Sequence, residues 1–258
     1  MRTRTLLVGL VAAAATAFAA PTASAADGPV SPLIVGGHDA TQTYSFMVSL
    51  QSTTGGHFCG GSLIKADWVV TAAHCVSGRT PASTQVRVGT TNRTSGGTVA
   101  KVSRIIVHPS YRTTADIALV QLSTAVTEAP VRIAATSGAV GTATRIIGWG
   151  QTCPVRGGCG APITLQELDT SIVADNLCKG GRIDGATEIC TENPGGTAGA
   201  CYGDSGGPQI KAVAGGWELI GATSRAGGRT STCAVDPSIY SDVPAYRTWI
   251  TGYTGALS

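Results

Sequence analysis

Cys201-Tyr202-Gly203-Asp204-Ser205-Gly206-Gly207-Pro208 places a serine among glycines, and it is the most informative segment of the sequence. Glycine tolerates tight backbone conformations, so a ligand can approach the Ser205 hydroxyl and the neighbouring amides closely. Residues 203–207 also satisfy the G-x-S-x-G pattern of α/β-hydrolases, in which the catalytic histidine follows the serine. All the histidines of this chain, at positions 38, 57, 74 and 108, precede Ser205. The α/β-hydrolase interpretation, and with it a small-ester hydrolase, is therefore excluded.

Five short segments match, in order and at similar separations, the motifs of one peptidase family. They are Ile34-Val35-Gly36-Gly37, Thr71-Ala72-Ala73-His74-Cys75, Asp116-Ile117-Ala118-Leu119, Gly148-Trp149-Gly150 and the run from Gly203 to Pro208. With these motifs the chain resembles the trypsin/chymotrypsin-like serine peptidases, secreted and of bacterial origin, over almost everything after residue 33. The resemblance implies an all-β fold class: two packed six-stranded antiparallel β-barrels with a short C-terminal helix, and the site in the cleft between them.

The resemblance also implies which residues carry out an endopeptidase reaction. It assigns His74, Asp116 and Ser205 as a catalytic triad that cleaves peptide bonds through an acyl-enzyme. A serine hydroxyl is a weak nucleophile at neutral pH and needs a base within hydrogen-bond reach, for which His74 is the candidate. Asp116 begins an apolar run, where a carboxylate is costly unless it is hydrogen-bonded or functional. Ser224 matches the family serine that lies under the triad aspartate.

Two further roles follow from the same resemblance. The backbone N–H groups of Gly203 and Ser205 would form the oxyanion hole. Asp204 would pair with the new α-amino group of Ile34 after activation by cleavage before that residue. A buried carboxylate without its partner is costly, so the oxyanion loop would be mis-set until cleavage.

The composition fits an all-β protein without a nucleic-acid or membrane partner. Charged residues make up 13% of the 258 residues, and 35 residues are glycine. The formal net charge of +3 is too small to indicate nucleic-acid or membrane-surface binding. We expect protein or peptide substrates, protein inhibitors and a monomer.

Short runs rich in Val and Ile, separated by Gly, Ser, Thr and Pro, predict two sets of strands. The first set covers 46–50, 61–64, 68–72, 85–89, 98–107 and 117–122. After a connection over 123–141, the second covers 142–148, 165–173, 188–190, 208–212, 217–224 and 239–243. A C-terminal helix over about 243–253 would pack one face on the second barrel, with Tyr246, Trp249, Ile250 and Tyr253 on that face.

The N-terminal stretch predicts a cleaved secretory signal over 1–25. Arg2 and Arg4 precede an apolar run from Leu6 to Ala20, which is shorter than the roughly 20 residues of a membrane span, and small residues follow at 23–25. Residues 26–33 are expected to be an activation peptide, because the family's mature chain begins with Ile-Val-Gly-Gly. The peptidase domain is then 34–258, with its first barrel over about 34–123 and its second over about 141–243. We therefore expect a secreted, extracellular protein.

Secretion favours a disulfide framework for the eight cysteines, which show no C-x-x-C motif and no zinc spacing. Eight cysteines allow many connectivities, so the sequence alone does not choose among them. The resemblance implies the pairs Cys59–Cys75, Cys178–Cys190 and Cys201–Cys233, which leaves Cys153 to pair with Cys159.

The primary substrate pocket is predicted to be neutral. Family members that prefer Arg or Lys carry an aspartate six residues before the nucleophile, where this chain has Gly199, followed by Ala200. A buried cation would be left unpaired there. Ala226 and Ser238 are expected to narrow the pocket, which would suit a small or medium apolar side chain. Arg225 replaces the usual tryptophan of the substrate strand and would contact an acidic substrate residue or, as we expect, be solvated.

Two questions of activity stay open at this point. A family member that only binds partners usually lacks the histidine, aspartate or serine, whereas this chain has all three. The residue before Ile34 is Leu33, which is apolar like the expected substrates. Self-activation and activation by an unrelated protease are both compatible with that residue.

No cofactor and no metal are expected. Calcium needs several oxygen ligands, usually including carboxylates. Relatives bind it in a loop of the first barrel, but no Asp or Glu occurs here from Val69 through Ala115. His38, His57 and His108 are interpreted as structural or solvated.

Overall fold

The computed structural model describes Met1 and residues 34–257. The expected signal peptide (1–25) and activation peptide (26–33) lie outside the described residues, apart from Met1. Within the described part of the chain, no helix is long and apolar enough to cross a membrane.

Strands dominate the described residues. In chain order they are β1 (His38–Asp39), β2 (Met47–Ser52), β3 (His57–Lys65), β4 (Trp68–Thr71), β5 (Thr84–Val88), β6 (Thr98–Val107), β7 (Ala118–Leu122), β8 (Arg132–Ile133), β9 (Ala143–Gly148), β10 (Gln166–Ser171), β11 (Glu188–Thr191), β12 (Pro208–Val213), β13 (Gly216–Ala226) and β14 (Ser238–Asp242). The α-helices are α1 (Ala73–Val76) and α2 (Arg247–Thr254), and 3₁₀ turns span Pro81–Ser83, Asp175–Gly181, Pro194–Gly196 and Val243–Tyr246. Every strand predicted from the sequence is present to within a few residues. The short strands β1 and β8 were not predicted, because two residues cannot show an alternating pattern.

Strands β2 to β7 form a closed barrel in the order β2-β3-β4-β7-β6-β5, which confirms the predicted first barrel. In β5 the side chains of Thr84, Val86 and Val88 are buried and those between them are half-buried, as expected for a strand with one face on a core. Within the barrel, Thr71 at the end of β4 pairs with Ala118 at the start of β7. This register brings the segments just beyond those two strand ends together.

The second set of strands forms an eight-stranded sheet, so the prediction of a second closed six-stranded barrel is wrong. The order is β1-β10-β9-β12-β13-β14-β11, and β8 joins β13 in parallel. Strand β1 already pairs with the first residues of β10, Gln166 and Glu167. Only the end of β10 is left for β11, where an isolated bridge joins Ile172 to Thr191. A single bridge replaces the ladder that would close the ring.

The C-terminal helix contacts the first barrel as well as the second sheet on which it was expected to pack, where Arg247 at its start donates to the carbonyls of Ile133 and Ala134. The rings of Trp249 and Tyr246 meet the His108 ring edge-on, with centroids 4.8 and 5.3 Å apart. Lys65, the last residue of β3, donates a hydrogen bond to the Thr254 carbonyl at 2.6 Å. His108 thus packs against the start of α2, and Lys65 supplies a cation at its end, where carbonyl groups lack helical partners.

All four expected disulfides are present. They join Cys59 to Cys75, Cys153 to Cys159, Cys178 to Cys190 and Cys201 to Cys233. The first lies under α1, and the last ties the Ser205 loop to the segment that follows β13. The pairing implied by the family resemblance is therefore confirmed.

Removal of Cys153–Cys159 by a double serine variant should destabilise the protein less than removal of Cys201–Cys233. The sequence separations of the two pairs are 6 and 32. Loop-closure entropy then gives the longer loop about 1.5 kcal/mol more stabilisation. Denaturant unfolding of both double variants, made in a Ser205→Ala background to prevent autolysis, measures the difference. A larger loss for the Cys153–Cys159 variant would contradict the prediction.

Candidate active site

His74, Asp116 and Ser224 meet where the first barrel contacts the second sheet. The Thr71–Ala118 pair places α1, which carries His74, beside the residues that precede β7. His74 Nδ1 lies 2.7 Å from Asp116 Oδ2, and the His74 backbone N–H donates to Asp116 Oδ1 at 2.9 Å. From β13, the Ser224 hydroxyl donates to Asp116 Oδ2 at 2.7 Å. The structure thus brings these three expected residues together.

Hydrogen bonds keep Asp116 in its charged form. Burial raises the pKa of Asp116, but the hydrogen bonds from His74 and Ser224 outweigh it and hold the pKa below its ordinary value. The Ser241 hydroxyl donates to the Asp116 carbonyl at 2.9 Å and fixes the backbone. A charged Asp116 accepts the Nδ1 proton of His74, so Nε2 of a neutral ring is left as a proton acceptor.

Ser205 lies in the loop before β12, where glycines allow close packing. Gly203 and Gly206 have φ angles of 104° and 74°, a region that favours glycine. A Cβ atom on Gly206 would clash with Thr71 Oγ1. The Ser205 carbonyl accepts a hydrogen bond from Gly60 N–H at 2.8 Å, which ties the loop to the first barrel.

The Ser205 loop and the His74 ring approach each other around the Cys59–Cys75 disulfide. Cys75 Sγ lies 3.8 Å from His74 Nε2 and 3.6 Å from the Ser205 carbonyl oxygen. The hydrogen bonds among the described residues do not include one from Ser205 Oγ to His74 Nε2. Catalytic hydrogen bonds often form only when substrate is bound, so the shared contact with Cys75 Sγ is what relates the His74 ring to the Ser205 loop in this structure.

Three amides of the Ser205 loop find no acceptor among residues 34–257: that of Tyr202 and, nearer the Ser205 side chain in the sequence, those of Gly203 and Ser205. The neighbouring amides behave differently: Asp204 N–H donates to Cys201 O at 3.0 Å and Gly206 N–H donates to Thr223 O at 2.8 Å. Backbone N–H groups are rarely left without a partner. The two unpaired donors beside the Ser205 hydroxyl are therefore available to an oxygen atom of a ligand.

His57 holds the carbonyl of Gly203, a role that the sequence analysis missed. Its Nε2 donates to Gly203 O at 3.1 Å, and its Nδ1 lies 2.8 Å from Ser49 Oγ. Burial lowers the pKa of His57 to about 4, so the ring is neutral at neutral pH. His57 belongs to no motif, and its contact with residue 203 spans most of the chain, so no local pattern could reveal it.

Asp204 is buried against the Gly148-Trp149-Gly150 motif. A Cβ atom on either glycine would clash with an Asp204 carboxylate oxygen. The carboxylate accepts hydrogen bonds from Gly150 N–H at 2.7 Å and Cys201 N–H at 2.9 Å. Burial outweighs these bonds and raises the pKa of Asp204 to about 6. The glycines of this motif make room for a carboxylate that has no cationic side-chain partner among the described residues.

Ile34 lies in the core of the second sheet rather than at the surface. Its side chain is 1% exposed and packs in a cluster with Ile189, Ala198 and Ile220. The next residue, Val35, accepts a hydrogen bond from Gly199 N–H at 2.8 Å. The expected mature N-terminus therefore lies beside the segment that leads into the Ser205 loop.

A cavity of about 190 Å³ opens beside Ser205. The expected pocket residues that line it are Ala200, Ser224, Arg225, Ala226 and Ser238. Gly199 is not among its lining residues. Ala226 and Ser238 face each other across β13 and β14. The pocket walls deduced from the sequence are thus brought together, although the floor position is not.

Two parts of the cavity lining were missed in the sequence. The first is the loop at 230–232, which the Tyr202 hydroxyl holds by donating to Ser231 O at 2.7 Å. The second is Asp236, whose half-buried carboxylate lies against Gly228. Neither part carries a motif, and only the fold of the 227–237 segment turns them toward the cavity.

Arg225 is partly exposed to solvent, with 37% of its side chain accessible, and it also forms an ion pair that the sequence analysis did not predict. Its guanidinium forms two hydrogen bonds with the Glu188 carboxylate, Nη1 to Oε1 at 2.5 Å and Nη2 to Oε2 at 2.8 Å. Glu188 is 3% exposed. A carboxylate so deeply buried needs a cation, and Arg225 supplies it.

Three potential metal ligands come together in the described residues, Cys59, His74 and Cys75. Both sulfur atoms belong to a disulfide and cannot act as thiolate ligands.

The expected independence of calcium stays a prediction. A chelator should leave the melting temperature of the activated protein unchanged, because residues 69–115 offer no carboxylate. A drop that added calcium reverses would contradict it.

Comparison with known proteins gives the same class as the fold and the site. The trypsin family model matches residues 34–250. The chain is 37% identical to trypsin theta of Drosophila melanogaster over 231 residues, which cover 84% of each protein. It is 39% identical to a trypsin of Saccharopolyspora erythraea over 225 residues, 83% of this chain and 94% of that protein. A trypsin of Sarcophaga bullata is 35% identical over 231 residues, 84% of this chain and 87% of the relative.

Fold and relatives together define a serine endopeptidase. The chain belongs to the trypsin family. The expected enzyme class is therefore confirmed, and protein or peptide substrates follow from it. Flies supply most of these relatives, so the expected bacterial origin is not supported.

Proposed function

We propose that this serine endopeptidase acts through a triad of Ser205, His74 and Asp116. The observation that carries the proposal is the arrangement around Asp116, which accepts hydrogen bonds from both the ring and the backbone of His74. This arrangement leaves His74 Nε2 directed away from Asp116, on the side of the ring where Cys75 Sγ contacts both Nε2 and the Ser205 loop. An imidazole so oriented can take a proton from a serine hydroxyl.

The reaction then runs in two halves. Ser205 Oγ attacks the substrate carbonyl carbon while His74 Nε2 takes the hydroxyl proton, which gives a tetrahedral oxyanion. The intermediate collapses to an acyl-enzyme, and His74 gives the proton to the leaving amine. Water repeats the sequence on the acyl carbon and releases Ser205. Asp116 keeps its charge throughout and stabilises the imidazolium.

The oxyanion is assigned to the unpaired amides of Gly203 and Ser205. The contact from His57 to the Gly203 carbonyl supports this assignment, because it fixes the orientation of that residue in the loop. Each such donor contributes about 3 kcal/mol of transition-state stabilisation. The energy is gained only when charge develops on the substrate oxygen.

Activation is assigned to cleavage before Ile34. The new α-amino group would supply the cation that the buried Asp204 lacks. In the uncut chain, burial raises the pKa of Asp204 above its unfolded value, so its protonated form is favoured and stability is lost as the pH rises from about 4 through about 6. Cleavage should remove this loss. The melting temperatures of the uncut and cut Ser205→Ala protein, compared across that range, test the pairing, with Asp204→Asn as the control that cannot titrate.

Self-activation at Leu33 is tested with the same precursor. A Ser205→Ala chain, freed of other proteases, should stay uncut while the wild type is processed. Processing of both at one rate would assign the cut to another enzyme. In that case the triad proposal is untouched, because it concerns the mature site.

For specificity we propose a primary pocket that takes small to medium apolar residues such as Ala, Val, Leu or Met. The position six residues before Ser205 is Gly199, which carries no carboxylate and does not line the cavity. Ala226 and Ser238 narrow the walls. A Lys or Arg side chain would enter without a partner at the floor.

One observation favours a second candidate, a preference for Lys or Arg. Asp236 lines the same cavity with a half-buried carboxylate, and no ion pair engages it within the described residues. The relatives are named trypsins, and the members of this family that prefer Lys or Arg place an aspartate in the pocket. In this chain that carboxylate would come from the wall rather than the floor.

Matched peptides that differ only in Leu or Arg before the cut bond separate the two candidates. Under the first, the wild type cleaves the Leu peptide faster and Asp236→Asn changes the ratio of the two kcat/KM values little. Under the second, the wild type prefers the Arg peptide, and Asp236→Asn lowers kcat/KM for that peptide alone. Asp169→Asn, which removes an exposed carboxylate that pairs with Arg145 and does not line the cavity, serves as a control.

The remaining expectations complete the proposal. The protein would carry a signal peptide over 1–25 and an activation peptide over 26–33, and would be secreted. It would act as a monomer on protein or peptide substrates, with protein inhibitors as partners and neither nucleic acid nor membrane. No cofactor takes part in the proposed steps.

A further inference from the structure

A line of polar contacts leads from Asp116 away from His74. The Ser224 hydroxyl donates to Asp116 Oδ2 at 2.7 Å and accepts a hydrogen bond from Arg225 Nη1 at 3.2 Å. A serine hydroxyl has one proton, and a guanidinium can only donate. Because Arg225 occupies a lone pair of Ser224 Oγ, the hydroxyl proton is left for Asp116.

Hydrogen bonds from Nε, Nη1 and Nη2 fix the Arg225 guanidinium. Besides its fork with Glu188, Nε donates to the Gly181 carbonyl at 3.0 Å and Nη2 donates to the Arg182 carbonyl at 3.2 Å. Glu188 in turn accepts a hydrogen bond from Asp184 N–H at 2.8 Å. A guanidinium held this way is already neutralised and is poorly placed to attract an acidic substrate side chain.

We propose that Arg225 and Glu188 form a positioning pair for the triad. The inference rests on the proposed triad. Arg225 orients the Ser224 proton toward Asp116, and Glu188 fixes Arg225 and cancels its charge. The pair therefore keeps the electrostatic balance around Asp116 and His74 that a lone cation or a lone carboxylate would disturb.

Other charged or titratable groups also face this cluster. From the segment before β7, from the 182–184 loop and from the 3₁₀ turn after β14 they are Tyr111, Arg112, Arg182, Asp184 and Tyr246. None of them lies in an ion pair with Arg225, Glu188 or Asp116 in the described part of the chain. The Arg225–Glu188 pair is thus the charged contact that reaches Asp116 through one hydroxyl.

The test is the pH profile of kcat/KM for an uncharged peptide amide, measured on the activated full chain. Activity falls at low pH as the proposed base, His74, becomes protonated, and the pKa of this acid limb is the quantity measured. Glu188→Gln leaves the Arg225 charge uncompensated near Asp116, so this pKa should fall by about half a unit to one unit. Arg225→Met leaves the Glu188 charge uncompensated, and the same pKa should rise by a similar amount. The double variant removes both charges and should return the limb close to the wild-type value.

The effect of Arg225 on the orientation of the Ser224 hydroxyl is measured through kcat. Arg225→Met releases the Ser224 hydroxyl, so kcat should fall about tenfold, the value of one hydrogen bond to a charged group, with a smaller change in KM. In a Ser224→Ala background Arg225→Met should lower kcat no further, while its shift of the acid limb persists. Arg225→Lys keeps the charge and should retain the wild-type acid limb.

Several outcomes would overturn the proposal. They are an unchanged acid limb in Glu188→Gln, shifts of the same sign in both single variants, and an effect on KM alone that is confined to substrates with acidic side chains. If Arg225→Met fails to fold around the buried Glu188, the comparison of Glu188→Gln with the double variant still decides the sign. Activity that survives His74→Ala would instead reject the triad itself, because that change leaves the Arg225–Glu188 pair intact.

Discussion

Ser205→Ala is expected to lower kcat by on the order of 10⁶-fold while leaving the fold intact. In the proposed reaction the hydroxyl becomes covalently bonded to substrate, and removal of the serine of such a triad costs about as much as removal of all three members. The loop itself does not depend on the side chain, since backbone hydrogen bonds from Gly60 and to Thr223 hold it. Hydrolysis of a peptide amide, followed long enough to detect slow turnover, measures the loss.

Two controls accompany this variant. Binding of a reversible peptide inhibitor and the melting temperature should both stay near the wild-type values. Ser231→Ala changes another serine that lines the cavity, one whose exposed side chain has no role in the proposed reaction, and should retain nearly full activity. Ser205→Ala protein that keeps more than a trace of activity, once shown free of wild-type contamination, would reject Ser205 as nucleophile.

Asp116→Asn is expected to lower kcat/KM at neutral pH by on the order of 10⁴-fold, the magnitude established for the triad aspartate of this family rather than one obtained from the present geometry. Asp116 Oδ2 accepts hydrogen bonds from both His74 Nδ1 and the Ser224 hydroxyl. An asparagine amide in that place would donate to Nδ1. The ring proton would then move to Nε2, which could no longer accept the Ser205 proton.

The tautomer argument separates this loss from simple unfolding. Nitrogen-15 NMR of the imidazole should show the proton on Nδ1 in the wild type and on Nε2 in Asp116→Asn at neutral pH. The Asp169→Asn control should change neither the tautomer nor the activity. Less than a tenfold loss in a folded Asp116→Asn protein would contradict the assigned role.

The residues of the candidate site could be predicted from the sequence where they lie in short motifs. His74, Asp116, Ser205 and Gly203 each lie in a local string, and the four disulfides followed from the family that these strings indicate. The first barrel was predictable for a related reason. Its strands are apolar runs bounded by Gly, Ser, Thr and Pro, and buried strands of this kind can be recognised in a sequence without alternation.

What could not be predicted depends on contacts between distant segments. The ring of the second sheet stays open because β1, a strand of two residues, takes the edge of β10. Likewise, His57 contacts Gly203 and Glu188 contacts Arg225, and the two residues of each pair are far apart in the chain. Asp236 reaches the cavity only through the path of the loop before it, which carries no motif.

The contact of α2 with the first barrel has a consequence for biosynthesis. His108 and Lys65 are translated long before the residues that cover them, Trp249 and Thr254. In a nascent chain the first barrel therefore leaves this aromatic face, the ring of His108, uncovered until translation of the second half is complete. A premature stop codon that removes only α2 would leave every residue of the proposed triad in the chain and still yield a polypeptide that exposes this face to chaperones and quality-control proteases.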